Sequence, residues 1–165
     1  MDPKQKLSLS NPWHLLAVGF GSGLSPIVPG TMGTLAAVPF YLLLSQLPLW
    51  AYLAIVVAAG VIGITICDRT AEDMGVHDHG SIVWDEFVGF WLGMAFVPAV
   101  TWQWVLVGFV LFRFFDMVKP WPIGMIDRRV KGGFGIMIDD IVAGLMTLLS
   151  LWLIEHFGLF ADFFS

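Results

Sequence analysis

Apolar residues come in long runs along this chain, separated by short polar stretches. After a polar head at residues 1–11, residues 13–33 are apolar but broken by Gly19, Gly21, Gly23, Pro26, Pro29, Gly30 and Gly33. A regular spanning helix does not tolerate that density of glycine and proline. The pattern predicts a re-entrant or interfacial segment, whose free backbone groups need protein around them. Residues 34–47 and 50–67 read as two spanning helices parted by Pro48, the first shorter than the roughly 20 residues of a straight span. Residues 68–81 are the first strongly polar stretch. Residues 82–97 predict a third span stopped by Pro98, and residues 102–118 a fourth stopped by Pro120 and Pro122. After a second polar loop at residues 119–135, residues 136–157 predict a fifth. The expectation is an all-α integral membrane bundle of four to five spanning helices plus the re-entrant segment. It forms one domain over residues 1–165, with residues 1–11 as a cytoplasmic tail and residues 68–81 and 119–135 as cytoplasmic loops.

Composition supports a bilayer protein. Of 165 residues, 58% are hydrophobic and 13% charged, and the mean hydropathy is +0.82; a soluble domain of this size has too much surface to hide so much apolar area. Eight Trp and fourteen Phe suit the belts at bilayer interfaces. The single cysteine, Cys67, supports neither a disulfide framework nor a Cys-rich metal site. The eight Lys and Arg are too few and too scattered to track a nucleic acid backbone. Residues 1–10 are polar and the apolar part that follows is broken, so no cleavable signal peptide is expected. Nothing in the composition marks an oligomeric state.

Charge placement sharpens the picture. With Lys4 and Lys6 cytoplasmic, five crossings bring Arg69, Arg113, Lys119, Arg128, Arg129 and Lys131 to the same side, a strong bias of the kind that sets orientation. Most acids gather there too. Asp68 ends the second span, Asp85 and Glu86 begin the third, Asp116 ends the fourth, and Asp139 and Asp140 begin the fifth. An acid at a helix start can simply complement the dipole. Two doublets plus Asp116 on one face of an apolar protein ask for more, because intramembrane charge is costly. Carboxylates crowded together repel unless something cationic neutralises them, and oxygen-only ligands suit a hard ion such as Mg2+. Gly89 follows Asp85, and Gly144 follows Asp140, at i,i+4 spacing, leaving room for an ion or for a neighbouring helix.

Two further stretches carry candidate chemistry. In Arg113-Phe-Phe-Asp116-Met-Val-Lys119-Pro-Trp-Pro, the Arg and Asp share a helix face, and Lys119 stands before a stiff turn as a counter-charge for a phosphate. In Gly21-Ser-Gly-Leu-Ser-Pro and Pro29-Gly30-Thr31-Met-Gly-Thr34, glycines can expose backbone N–H groups to an anion, although tight helix packing explains them as well. The Arg128-Arg129-Val-Lys131 loop suits anionic headgroups. His77-Asp78-His79 offers ligand types within a solvated loop. There is no Cys-x5-Arg, no Asp-x-Asp-x-Thr, no pattern of a His-dependent lipid phosphatase and no CDP-alcohol phosphotransferase signature.

Four ordered motifs together resemble one family, phosphatidylglycerophosphatase A, a bacterial inner-membrane lipid phosphatase. They are the two glycine-proline stretches near the start, Ile-Val-Trp-Asp85-Glu86-Phe-Val-Gly, Phe-Arg113-Phe-Phe-Asp116-Met-Val-Lys119-Pro-Trp-Pro, and Gly-Ile-Met-Ile-Asp139-Asp140-Ile-Val-Ala-Gly. The likeness runs over residues 11–157. It implies Mg2+-dependent dephosphorylation of phosphatidylglycerophosphate to phosphatidylglycerol, in contact with membrane lipids, from the cytoplasmic face of a multi-pass protein. For that activity the residue pattern itself supplies the site: the expected metal ligands are Asp85, Glu86, Asp139, Asp140 and Asp68, helped by Asp116. The expected phosphate-binding groups are Gly30, Thr31, Arg113, Lys119 and Arg128, and the catalytic set is Asp85, Glu86, Asp116, Lys119, Asp139 and Asp140. A small ion-coupled transporter or channel is the alternative, because clustered carboxylates also mark ion paths; the absence of charge halfway along any span argues against it.

Overall fold

A computed structural model describes residues 2–165. Among these residues the fold is entirely helical. A short helix α1 (Pro12–Ala17) is followed by a 3-10 turn (Gly19–Leu24), and five longer helices follow: α2 (Pro29–Leu44), α3 (Leu49–Met74), α4 (Trp84–Gly93), α5 (Trp102–Val118) and α7 (Gly132–His156). The short α6 (Ile123–Arg129) lies between α5 and α7, and α8 (Ala161–Phe164) ends the chain.

Residues 102–118 are helical as the pattern predicts. Other boundaries differ, each for a local reason. Helix α3 does not stop at Cys67 but runs seven residues into the expected loop, through Asp68 to Met74. Its polar end is covered by the N-terminal segment. The Arg69 guanidinium lies 4.6 Å over the Trp13 ring, His14 Nε2 meets Asp73 Oδ2 at 2.9 Å, and Lys6 Nζ donates to the Met74 carbonyl at 3.2 Å. Gly75, at φ 73°, then ends the helix in the left-handed region. Helix α2 begins earlier than expected because Pro29 suits a first helical position. The expected loop at residues 119–135 contains α6 and the first turn of α7. The 13–33 segment, expected to be re-entrant or interfacial, contains most of α1, the 3-10 turn and the start of α2.

The third expected span is the largest departure. Only ten residues of 82–97 are helical, about 15 Å of length, half of a bilayer core. Ala95 and Val97 close tight turns onto Leu92 and Met94, and Pro98 disfavours helix at the residue before it. The chain tolerates this because α4 is enclosed by protein: all of its residues except Leu92 are buried. The Trp84 indole donates to the Ala59 carbonyl of α3 at 3.1 Å, and the Trp91 indole to that of Ala37 in α2 at 3.1 Å. Phe87 and Phe90 of α4 are fully buried, and Tyr41 of α2 and Phe112 of α5 are buried alongside.

Against α7, α4 packs almost backbone to backbone. A methyl group at Gly89 would lie 2.6 Å from the Asp140 carbonyl oxygen, and one at Gly144 would collide with that of Gly89. The small residues one turn beyond each acidic doublet therefore serve helix contact, which brings the two doublets together.

Contacts sort the helix termini into two ends. The ends of α3 and α5 and the starts of α2, α4 and α7 meet at one, where all eight Lys and Arg lie. At the other end Trp102 and Trp104 pack on Phe163 and Phe164 of α8. Helices α3 and α7 are long and apolar enough to cross a membrane. Their outer faces, and those of α2 and α5, expose large apolar side chains such as Leu43, Val57, Val61, Val110 and Leu149, as lipid contact requires.

Candidate active site

At the charged end, α4, α5 and α7 bring their acids around one cavity of about 370 Å³. The first turn of α4 supplies Asp85 and Glu86, the last turn of α5 supplies Asp116, and α7 supplies Asp139 and Asp140. Because α7 starts at Gly132, its doublet sits two turns inside the helix and not in the first turn. Lys119, in the left-handed conformation at φ 49° that ends α5, turns its side chain back to the cavity. Asp78 and Gly80, from the loop before α4, line the remaining wall.

Four of these carboxylates are buried: Asp85 and Glu86 are each 8% exposed, Asp139 4% and Asp140 2%. Oxygens of Asp85, Asp139 and Asp140 lie within 4.8 Å of one another, as do those of Glu86, Asp116 and Asp140. At that separation, like charges repel by about 3.5 kcal/mol per pair for an effective dielectric near 20. The two groups meet this repulsion differently. Arg113 Nη1 lies 2.5 Å from Asp116 Oδ2 and 3.4 Å from Glu86 Oε2. The Thr34 hydroxyl stands 3.3 Å from the same Glu86 oxygen. Gly30 opens the space for this pair, since a methyl there would lie 2.7 Å from Glu86 Oε1 and 3.0 Å from Arg113 Nη2.

In the other group, Asp139 Oδ2 accepts from Lys119 Nζ at 2.7 Å, and its Oδ1 accepts the Asp140 N–H at 3.0 Å. Lys119 also donates to Asp127 Oδ1 of α6 at 2.9 Å. Burial works against the Lys119 ammonium, yet its hydrogen bonds to Asp139 and Asp127 hold its pKa above the usual lysine range. The bond to Lys119 in turn keeps the Asp127 carboxyl below its ordinary value, whereas desolvation against the cavity wall raises that of Asp78, although Asp78 itself is exposed at the surface. Asp85 Oδ1 and Asp140 Oδ2 are buried with no hydrogen-bond partner among the described residues. Unpartnered buried oxygens of this kind cost free energy unless a cation meets them, and an all-oxygen donor set suits Mg2+.

Asp85, Glu86, Asp116, Lys119, Asp139 and Asp140, expected from the sequence, all line the cavity. Arg113 and Gly30 stand behind Glu86 and are not lining residues. Thr31 and the exposed Arg128 also lie outside the lining. Asp68 is not brought to the carboxylates. Its Oδ1 accepts the Gly133 N–H at 2.9 Å, satisfying one of the free donors that begin α7. His79 Nδ1 accepts the Ser81 N–H at 3.1 Å, which employs it in its own turn. Sequence reasoning missed Asp127, the cavity position of Asp78 and the contact of Thr34 with Glu86. Asp78 carried a signal as a ligand type within a short polar loop, and Thr34 stood in the glycine-proline stretch without a stated partner.

An all-helical fold with two helices long and apolar enough to cross a membrane, and with buried carboxylates and one lysine around an open cavity, has the make-up expected of a membrane enzyme. The comparisons narrow that class. Residues 15–155 match the family Phosphatidylglycerophosphatase A. The chain is 62% identical to phosphatidylglycerophosphatase A of Escherichia coli K12 over 154 residues, covering 93% of this chain and 89% of that protein. It is 48% identical to phosphatidylglycerophosphatase A of Haemophilus influenzae over 159 residues, covering 96% and 98%. The chain belongs to the phosphatidylglycerophosphatase A family and is a phosphatase. No solved structure matches it.

Proposed function

We propose that this enzyme hydrolyses the phosphate monoester of phosphatidylglycerophosphate, giving phosphatidylglycerol and phosphate, with Mg2+ held at the cytoplasmic end of a multi-pass protein of the bacterial inner membrane. The observation that carries the reading is the pair of unpartnered buried oxygens, Asp85 Oδ1 and Asp140 Oδ2, beside Lys119 in an open cavity. Asp85, Asp139 and Asp140 would hold the ion; Glu86 and Asp116 border them. When bound, Mg2+ supplies Lewis-acid stabilisation of the charge on the phosphoryl oxygens.

The chain's own residues supply the rest. Lys119 has three ammonium protons and gives two of them to Asp139 and Asp127. The third points its charge to a phosphoryl oxygen, which stabilises the transition state of an in-line displacement. Asp127 and Asp139 keep that ammonium charged and fixed in direction. Water attacks phosphorus as the ester P–O bond breaks, and Asp78, on the cavity wall, takes a proton from that water and gives one to the glycerol oxygen, which leaves as the alcohol.

Five crossings account for the helix order, with α4 and the turns after it forming a third passage shielded from lipid by the other helices. Helices α2 and α5, of 16 and 17 residues, cross with the help of local thinning of the bilayer. The N-terminal segment covers the charged end at the interface. The eight bases at that end support its cytoplasmic orientation.

The test is inorganic phosphate release from phosphatidylglycerophosphate in detergent micelles, with Mg2+ and after chelation. Release that requires Mg2+ is expected. Undiminished release from metal-stripped protein sinks the metal assignment, and no release from folded protein sinks the substrate.

A further inference from the structure

The two acidic groups share Asp140, and together they look suited to a pair of ions. Two-metal phosphatase sites set their ions about 3.5–4 Å apart, bridged by a common carboxylate. The side chains around the two groups are nevertheless unlike. In the group of Glu86 and Asp116, Arg113 already binds both partners, at 3.4 and 2.5 Å. The Thr34 hydroxyl adds a contact to Glu86, and the missing side chain at Gly30 makes the room for the guanidinium. In the group of Asp85 and Asp139, among the described residues, the base is Lys119, which Asp139 shares with Asp127, and the buried oxygens Asp85 Oδ1 and Asp140 Oδ2 have no partner. Arg113 is 12% exposed at its side chain, so its charge is committed to these neighbours and not to solvent. A guanidinium stays protonated throughout the accessible pH range, which makes it a permanent occupant where a metal would come and go.

We propose that the site holds one divalent cation, at Asp85, Asp139 and Asp140, and that the Arg113 guanidinium stands where a second ion would otherwise sit. The inference rests on the metal-dependent reading above and refines it. Glu86 and Asp116 then act as positioning residues that hold Arg113 against the metal group, while Asp140 faces both charges. Arg113 neutralises the cluster permanently on one side, and the ion completes it on the other.

The test is metal stoichiometry on the full-length protein in detergent, titrated with Mn2+ and read by electron paramagnetic resonance of the bound ion. The wild type is expected to bind one Mn2+ per chain with an isolated-ion spectrum. Arg113→Lys, which keeps the charge, is expected to stay at one. Arg113→Met, which removes it, is expected to gain a second ion whose spectrum is exchange-coupled to the first. Glu86→Gln keeps one ion here, whereas in a two-ion site it loses one of two, and this variant decides the matter if Arg113→Met fails to fold. Two coupled ions in the wild type, or an unchanged single ion in folded Arg113→Met, overturns the inference. No bound Mn2+ in folded wild type removes the metal-dependent reading itself.

Discussion

Gly89→Ala adds a single methyl where α4 crosses α7, and its cost can be worked from the surroundings. The new Cβ would lie 2.6 Å from the Asp140 carbonyl oxygen and 2.8 and 2.9 Å from Phe112 ring atoms. The nearest of these is backbone, and Phe112 is fully buried, so neither can move aside without shifting a helix. Overpacking of this kind costs about 1–3 kcal/mol, and alanine's better helix propensity returns at most about 1 kcal/mol. A net loss of about 1–2 kcal/mol is expected, together with a larger loss of activity, because the residue that must move is Asp140. Gly60→Ala is the internal control: its methyl would meet only Val88 Cγ1 at 3.5 Å, an ordinary contact. Thermal unfolding in detergent and phosphate release on both variants supply the measurement. If Gly89→Ala keeps wild-type stability and turnover, the close α4–α7 contact is wrong and so is the account of why the two doublets meet.

Other expectations follow from the same geometry. Lys119→Met should lower kcat by roughly 10²–10³, the usual cost of removing one transition-state donor. The raised Lys119 pKa means its contribution is complete below the ordinary lysine value of about 10.4 and is lost only as pH rises through the higher folded value. The lowered Asp127 pKa keeps its contribution complete above about 3.9, to be lost only as pH falls through the lower folded value. The wild-type to Lys119→Met rate ratio should therefore be flat from about pH 7 to 9; a step in that window would show that another group sets the lysine's charge. Asp127→Asn should weaken one charge-assisted hydrogen bond by about 1.5 kcal/mol, a loss of about tenfold in kcat/KM. His14→Ala should release the N-terminal segment from α3, because His14 accepts from the Ser8 N–H and pairs with Asp73. A loss of about 1–2 kcal/mol with faster proteolysis near residue 10 is expected, and unchanged proteolysis would count against the strap.

The helices and the acidic cluster were largely legible in the sequence, for a simple reason. When successive antiparallel helices start or end with acids at the same end, folding side by side brings the acids together. Asp85, Glu86, Asp116, Asp139 and Asp140 needed only the count of helices. What could not be read depended on contacts between distant residues. The length of α4 was overestimated because its apolar residues face protein and not lipid, and hydropathy does not separate the two. Asp68 was grouped with the metal ligands from its place at the end of an apolar run, yet α3 continues past it and Gly133 claims its oxygen. Asp127 reaches Lys119 only because Lys119 turns left-handed and α6 folds back. Thr34 reaches Glu86 across 52 residues, with no local pattern to announce it.

The most direct measurement compares Asp85→Asn with Asp68→Asn in phosphate release from phosphatidylglycerophosphate with Mg2+ present. Both substitutions remove one carboxylate from the charged end, but only Asp85 lines the cavity. Asp85→Asn should lower turnover by several orders of magnitude, whereas Asp68→Asn should leave it within roughly tenfold, since Asp68 holds the start of α7 with one cap worth about 1 kcal/mol. Full turnover in Asp85→Asn, or its collapse in a stably folded Asp68→Asn, would place the reaction outside the carboxylate cavity.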